Sequence, residues 1–276
     1  MGPKIWTEIA KKIYQLYDKY DGFVVAQGTD TMAYSASATS FALQNLSKPV
    51  VFTGSLIPLN EIGSDGRNNL IYACMTATLD IAEVCIVLSN RIIRGNRSKK
   101  YHESFAALFH SPNFPYLGEL GRPIQLFEWR KKRRKRSLAF QPNFNPDISM
   151  LKIFPGFDPF IIESVINRKA QGIILEGFGP GNVPSLGENS IIPKIEKAVS
   201  SGIPVVIANQ MEKGITNLTA YEVGYQALKA GAISSKDMTT EATVTKLMWA
   251  LAQTKKPSEI KKIMETDLAG EMGKEN

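Results

Sequence analysis

Apolar positions recur along this chain with two periods, and the two alternate in order. Over residues 4–20 the spacing is helical, with Ile5, Ile9, Ile13 and Leu16-Tyr17 separated by Lys and Asp, which predicts an amphipathic helix. Residues 22–26, 49–53 and 83–89 are short, continuous apolar runs of the kind that form strands covered on both faces. Helical stretches lie between them, at about 32–44 and from Ser64-Asp65-Gly66 to about 79. Ser64 or Asp65 is a candidate N-cap, because either side chain can accept from unpaired first-turn amides. This alternation predicts a parallel sheet with right-handed crossovers and helices on both faces. The same pattern returns after the Pro- and Asn-rich stretch 141–146. Strands are expected at 150–154, 172–175 and 204–208, and helices at about 159–167, 190–200, 216–230, 240–253 and 257–266. The expected fold is two-domain α/β, divided as 1–140, a linker at 141–148, and 149–276.

Composition narrows the class. A chain of 276 residues with 43% hydrophobic and 21% charged residues is an ordinary globular protein and not a disordered one. No apolar stretch approaches the roughly 18 residues of a membrane-spanning helix, and the N-terminus lacks the apolar core of a secretory signal. Cys74 and Cys85 lie in apolar surroundings. A reduced, buried pair in a cytoplasmic protein is the expectation, with a structural disulfide as the alternative. The unbroken run Arg130-Lys131-Lys132-Arg133-Arg134-Lys135-Arg136 accounts for the whole net charge of +7. A solvated, mobile surface loop is expected there, since like charges repel; a polyanion site is the alternative, and nucleic acid is not expected as a partner elsewhere.

Candidate chemistry gathers on loops at strand ends. Gly28-Thr29-Asp30-Thr31 follows the first strand, Gly54-Ser55 the second, and Asp65 and Asn69 flank the next helix start. Beyond the following strand comes Arg94-Gly95-Asn96-Arg97-Ser98-Lys99-Lys100. The carboxyl ends of parallel strands are where open α/β sheets bind ligands, and neighbouring strands lie about 5 Å apart. An Asp can orient a Lys ammonium, and a Lys of lowered pKa can take the proton of a Thr hydroxyl. Backbone amides of the Gly-containing turn can then hold an oxyanion. On the residues alone, a local Thr-Asp turn, a surface Lys100 and a phosphate role for Arg94 and Arg97 stay open.

With these segments in order, the chain resembles type I (cytoplasmic) L-asparaginases of the asparaginase/glutaminase family. The resemblance runs from about Ile5 to Glu271 and rests on Tyr20-Asp21-Gly22-Phe23-Val24-Val25, Gly28-Thr29-Asp30-Thr31-Met32-Ala33-Tyr34, Thr53-Gly54-Ser55 and Gly63-Ser64-Asp65-Gly66. It continues through Arg94-Gly95-Asn96-Arg97, Ser111-Pro112-Asn113 and Asp237-Met238-Thr239-Thr240-Glu241-Ala242-Thr243. It implies a doubly wound, flavodoxin-like sheet in the first domain and hydrolysis of L-asparagine to L-aspartate and ammonia, without metal or cofactor. It implies a threonine nucleophile and a Thr-Lys-Asp triad. Thr29 matches the second active-site threonine, Asp30 the carboxylate that grips the substrate amino group and orients the lysine, and Lys100 that lysine. Gly28 lies in the same substrate-binding turn, Ser55 offers its carbonyl to the substrate amide, and Asn182 is lent to a neighbouring subunit's site. The implied assembly is a homodimer or homotetramer.

Two departures accompany the resemblance. Gln27 stands where the family has His. The family's first strand, with a Gly-Gly-Thr-like turn bearing the first threonine, lies upstream of the helix that starts here near Ile5. The expectation is therefore a fragment or misplaced start, with an interior strand missing, low stability and little amidase activity alone. The amide-donor subunit of a tRNA-dependent amidotransferase, a glutamine-preferring enzyme, and an inactive binding protein acting through residues 130–136 are the alternatives.

Overall fold

The computed structural model describes residues 1–102 and 108–273. They divide into two compact units, Met1–Asn143 with Leu268–Glu271, and Phe144–Asp267 with the residues from Met272 onward. The return of Leu268–Glu271 to the first unit has no counterpart in the sequence expectation.

In the first unit, helix α1 (Pro3–Leu16) is followed by strand β1 (Phe23–Ala26), α2 (Met32–Ala42), β2 (Leu43–Gln44), β3 (Val50–Thr53), α3 (Gly66–Thr78) and β4 (Val84–Leu88). Then come β5 (Arg91–Arg94), β6 (Lys99–Lys100), β7 (Phe109–His110), β8 (Gly118–Glu119), β9 (Gln125–Leu126) and β10 (Ala139–Phe140). The main sheet has the order β1-β3-β4-β5-β8-β9. β1, β3 and β4 are parallel, as the alternation requires, but β5, β8 and β9 run antiparallel. The sheet is thus mixed, which corrects the expectation of a parallel one. β4 turns straight into β5 at Ser89, whose φ is +57°, and a two-residue turn can join only antiparallel strands.

The helices explain their own placement. α1 buries Trp6, Ala10 and Ile13, with Tyr17 just beyond its end, while Ile5 stays 45% exposed. The buried stripe is therefore displaced from the Ile5–Ile9 face, because Trp6 carries the larger apolar surface and its Nε1 donates to Ser35 Oγ at 3.1 Å. α2 is built largely of small residues and is buried along nearly its whole length. Its Thr39 and Ser40 hydroxyls donate to the carbonyls of Ser35 and Ala36, each at 2.8 Å, which offsets the cost of burying them.

The second unit holds β11 (Ile148–Lys152), α4 (Phe160–Asn167), β12 (Gly172–Gly177), α5 (Ile192–Ser200), β13 (Val205–Asn209), α6 (Glu222–Lys229), β14 (Ile233–Ser234), α7 (Thr240–Gln253) and α8 (Pro257–Glu265). Its four strands are parallel in chain order. Ile162, Ile195 and Ala227 of α4, α5 and α6 belong to one core, and Leu247, Ala250, Ile260 and Met264 of α7 and α8 to another. Thr239 caps α7 by accepting from the Ala242 amide at 3.2 Å.

Two expectations about the surface are corrected. Cys74 is exposed on α3 and Cys85 is buried, both as free thiols, so they are not a buried pair. Burial, reinforced by the Glu83 charge, pushes the Cys85 thiol far above its usual range. The basic run is not simply a solvated loop. Arg133 donates to the carbonyls of Leu79 (2.7 Å), Asp21 (2.8 Å) and Ala77 (2.9 Å), and Arg130 to the Asp80 carbonyl at 2.9 Å. The end of α3 offers free carbonyls and a negative dipole end, and guanidinium forks match them.

Candidate functional site

The first strand places the site. β1 is in register with β3, Ala26 opposite Thr53, and the Gln27 amide continues the ladder to the Thr53 carbonyl at 3.0 Å. The chain then turns over Gly28–Thr31 into α2, with the Met32 amide donating to the Thr29 carbonyl at 3.2 Å. Thr29 and Asp30 therefore sit at the carboxyl end of a parallel strand and the amino end of a helix, where the helix dipole favours a carboxylate. A Cβ added at Gly28 would meet nothing within 4 Å, so a ligand can approach the backbone of this turn.

Lys100 arrives from the β6–β7 ribbon, paired with Phe109. Its Nζ donates to Thr29 Oγ1 at 3.0 Å and to Asp30 Oδ1 at 2.5 Å. Thr29 is buried, while the Asp30 side chain is 90% exposed and that of Lys100 23% exposed. The Lys100 hydrogen bond, and then its charge, hold the Asp30 carboxyl below its usual value. The three residues singled out for proton transfer are thus brought together from positions 70 residues apart. Together they can hold a hydroxyl against a lysine nitrogen whose charge a carboxylate balances.

Ser55 follows β3, next to the same turn. A Cβ on Gly54 would lie 2.2 Å from the Gln27 carbonyl oxygen, so only glycine permits this approach. Asp65 occupies the N-cap position of α3 but makes no side-chain cap. Its carboxylate instead accepts from the amides of Leu56 and Ile57, and Ser64 Oγ takes the Gly66 amide at 3.1 Å. Asn182 lies in the second unit, in a turn closed by reciprocal 2.8 Å bonds with Phe178.

Arg94 and Arg97 are not held for a phosphate. Arg94 is buried against Glu83, with Nε to Oε2 at 2.5 Å, and its guanidinium lies 4.3 Å from the Phe114 ring centroid. Arg97 Nε donates to the Gly270 carbonyl at 2.9 Å. Both brace the segment that leads to Lys100. Sequence reasoning missed Tyr101 and His102, which with Asp30 and Lys100 line an open concavity of about 460 Å³. Tyr101 packs on His110 with ring centroids 4.6 Å apart. Their position directly after Lys100, and the fact that the chain has two histidines in all, were the available signals.

The class this fold and site define is a two-unit α/β enzyme with a Thr-Lys-Asp cluster, and comparison with known proteins gives it a family. Residues 1–132 match the family model "Asparaginase, N-terminal", and residues 147–264 match "Glutaminase/Asparaginase C-terminal domain". The chain is 38% identical to the L-asparaginase of Thermococcus kodakarensis over 98% of its own length and 81% of that protein. It is 39% identical to L-asparaginase 1 of Escherichia coli, covering 99% of this chain and 80% of the other. A glutamyl-tRNA(Gln) amidotransferase component of Pyrococcus abyssi is 36% identical, but this chain covers only 64% of it. The solved structure of the thermostable Thermococcus kodakarensis L-asparaginase superposes with a TM-score of 0.94 at 36% identity, over 100% of this chain and 83% of that one. The protein belongs to the asparaginase/glutaminase family.

Proposed function

We propose that the protein is an amidohydrolase that converts L-asparagine to L-aspartate and ammonia. The observation that carries this is the Lys100 ammonium bonded at once to Thr29 Oγ1 (3.0 Å) and Asp30 Oδ1 (2.5 Å), in a chain of this family. Thr29 Oγ1 attacks the carboxamide carbon while Lys100, having first released a proton to solvent, takes the hydroxyl proton, with Asp30 balancing the lysine charge. The C–N bond breaks as that proton passes to the departing ammonia. A water then cleaves the aspartyl ester, releasing L-aspartate and restoring the Thr29 hydroxyl. The exposed Asp30 oxygen is free to grip the substrate's α-ammonium. Amides of the Gly28–Thr31 turn take the developing oxyanion, and the Ser55 carbonyl receives a carboxamide N–H.

Glutamine is the alternative substrate, because one methylene changes binding by only about 1–3 kcal/mol. The protein acts in the cytoplasm as a homodimer or homotetramer, with Asn182 completing the site of a neighbouring copy. Ammonia release from asparagine tests the reading. Activity that falls about 10²–10⁴-fold in Lys100→Met supports it; release unaffected by that change overturns it.

A further inference from the structure

The peptide that carries Ser55 is held on both sides and left open in the middle. On its amino side, Asn69 Nδ2 donates to the Gly54 carbonyl at 2.9 Å. On its carboxyl side, the Asp65 carboxylate accepts from the Leu56 amide at 3.0 Å and the Ile57 amide at 3.1 Å. Asn69 Nδ2 also donates to Asp65 Oδ2 at 2.8 Å, so the two side chains act as one piece. Among the described residues, the amide and carbonyl of Ser55 itself take no hydrogen bond.

The orientation of the Asn69 amide is fixed by its surroundings. Both Nδ2 protons are used, and Oδ1 accepts from the Ser89 amide at 2.9 Å, at the end of β4. A flipped amide would set donor against donor and acceptor against acceptor. Asn69 is 3% exposed and so ties the ends of β3 and β4 together from within. The loop after β3 is thereby fixed to the sheet through side chains at the start of α3.

We propose that Asp65 and Asn69 are positioning residues for the reaction, forming a clamp that holds the Ser55 carbonyl where a substrate carboxamide N–H reaches it. Neither side chain touches substrate; both act through the peptide between Gly54 and Ile57. The proposal rests on the asparagine-hydrolase reading and deepens it. It explains why an Asp at a helix N-cap position leaves the cap to Ser64: its carboxylate is committed to the loop.

Two measurements test it. In the unaltered protein, hydrogen exchange at the Leu56 and Ile57 amides is expected to be at least ten-fold slower than at Ser55, and at least ten-fold faster in Asp65→Asn than in the parent. Equal exchange at the three amides overturns the clamp, whether or not the variant folds and whether or not the protein is an amidase. In steady-state kinetics, Asp65→Asn is expected to lower kcat/KM for L-asparagine at least ten-fold, but for the β-methyl ester of L-aspartate less than three-fold, because the ester has no N–H for the Ser55 carbonyl. Equal losses on both substrates, or none on either, overturn the positioning role. A parent without asparagine hydrolysis refutes the functional reading, and the exchange data then decide the clamp alone.

Discussion

At the scale of the residue, the chemistry stands on a lysine bonded to a buried hydroxyl and an exposed carboxylate. Because Lys100 depresses the Asp30 pKa, the ion pair forms in full above the ordinary carboxylate value and is lost as pH falls through the lower folded value. An NMR titration of Asp30 is expected to midpoint below 3.8 in the parent and to move upward in Lys100→Met; an unchanged midpoint contradicts the pairing. Thr29→Ser is expected to retain measurable ammonia release and Thr29→Val to lose it, with both folded by circular dichroism. Thr29 and Asp30 were legible in the sequence because an apolar run ending in Gly-Thr-Asp has few places to go other than a strand end. That strand, β1, is nevertheless a half-exposed edge strand and not one covered on both faces. The direction of the Asp65 carboxylate was not. A capping residue and a loop anchor have the same local sequence, and the amides of Leu56 and Ile57 that decide between them come from a different turn.

At the scale of the element, the helical and strand periods located most of the segments, and α7 runs from 240 to 253 as its pattern required. What the periods missed was which face is buried and what charged residues do. In α1 the i, i+4, i+7 series that packs is Trp6, Ala10, Ile13, because one indole outweighs two isoleucines. Trp6→Ala is expected to cost about 3–5 kcal/mol in chemical denaturation, and Ile5→Ala much less. The strap at Arg133 was hidden for a related reason. Seven like charges in a row read as solvated, and the carbonyls that Arg133 caps lie more than 50 residues away. In the second unit, Glu163 of α4 pairs with Lys194 and Lys197 of α5, whose hydrogen bonds lower its pKa from 4.5 to about 2. That staple contributes stability above pH 4.5 and loses it as pH falls towards 2. Acid unfolding of Glu163→Gln is therefore expected to lack a step that the parent shows in this window.

At the scale of the whole molecule, two α/β units, one with a mixed sheet and one with a parallel sheet, carry the family's motifs in order. The parallel half of the first sheet followed from strand–helix alternation. The antiparallel half did not, since β8 and β9 have two residues each and the Ile92-Ile93 pair of four-residue β5 is flanked by arginines, which leaves no apolar run to mark a strand. With Arg130 and Arg133 committed to α3 and its following loop, the basic run keeps less charge for a partner than its composition implies. Neutralising Arg134 and Lys135 together is expected to leave asparagine hydrolysis within two-fold of the parent. The most direct test of the central claim is ammonia released from L-asparagine by the purified protein and by Lys100→Met, measured side by side with stoichiometric L-aspartate. Release by the parent and its near-complete loss in the variant are the expected result. No release by a folded parent, or equal release by both, contradicts the assignment.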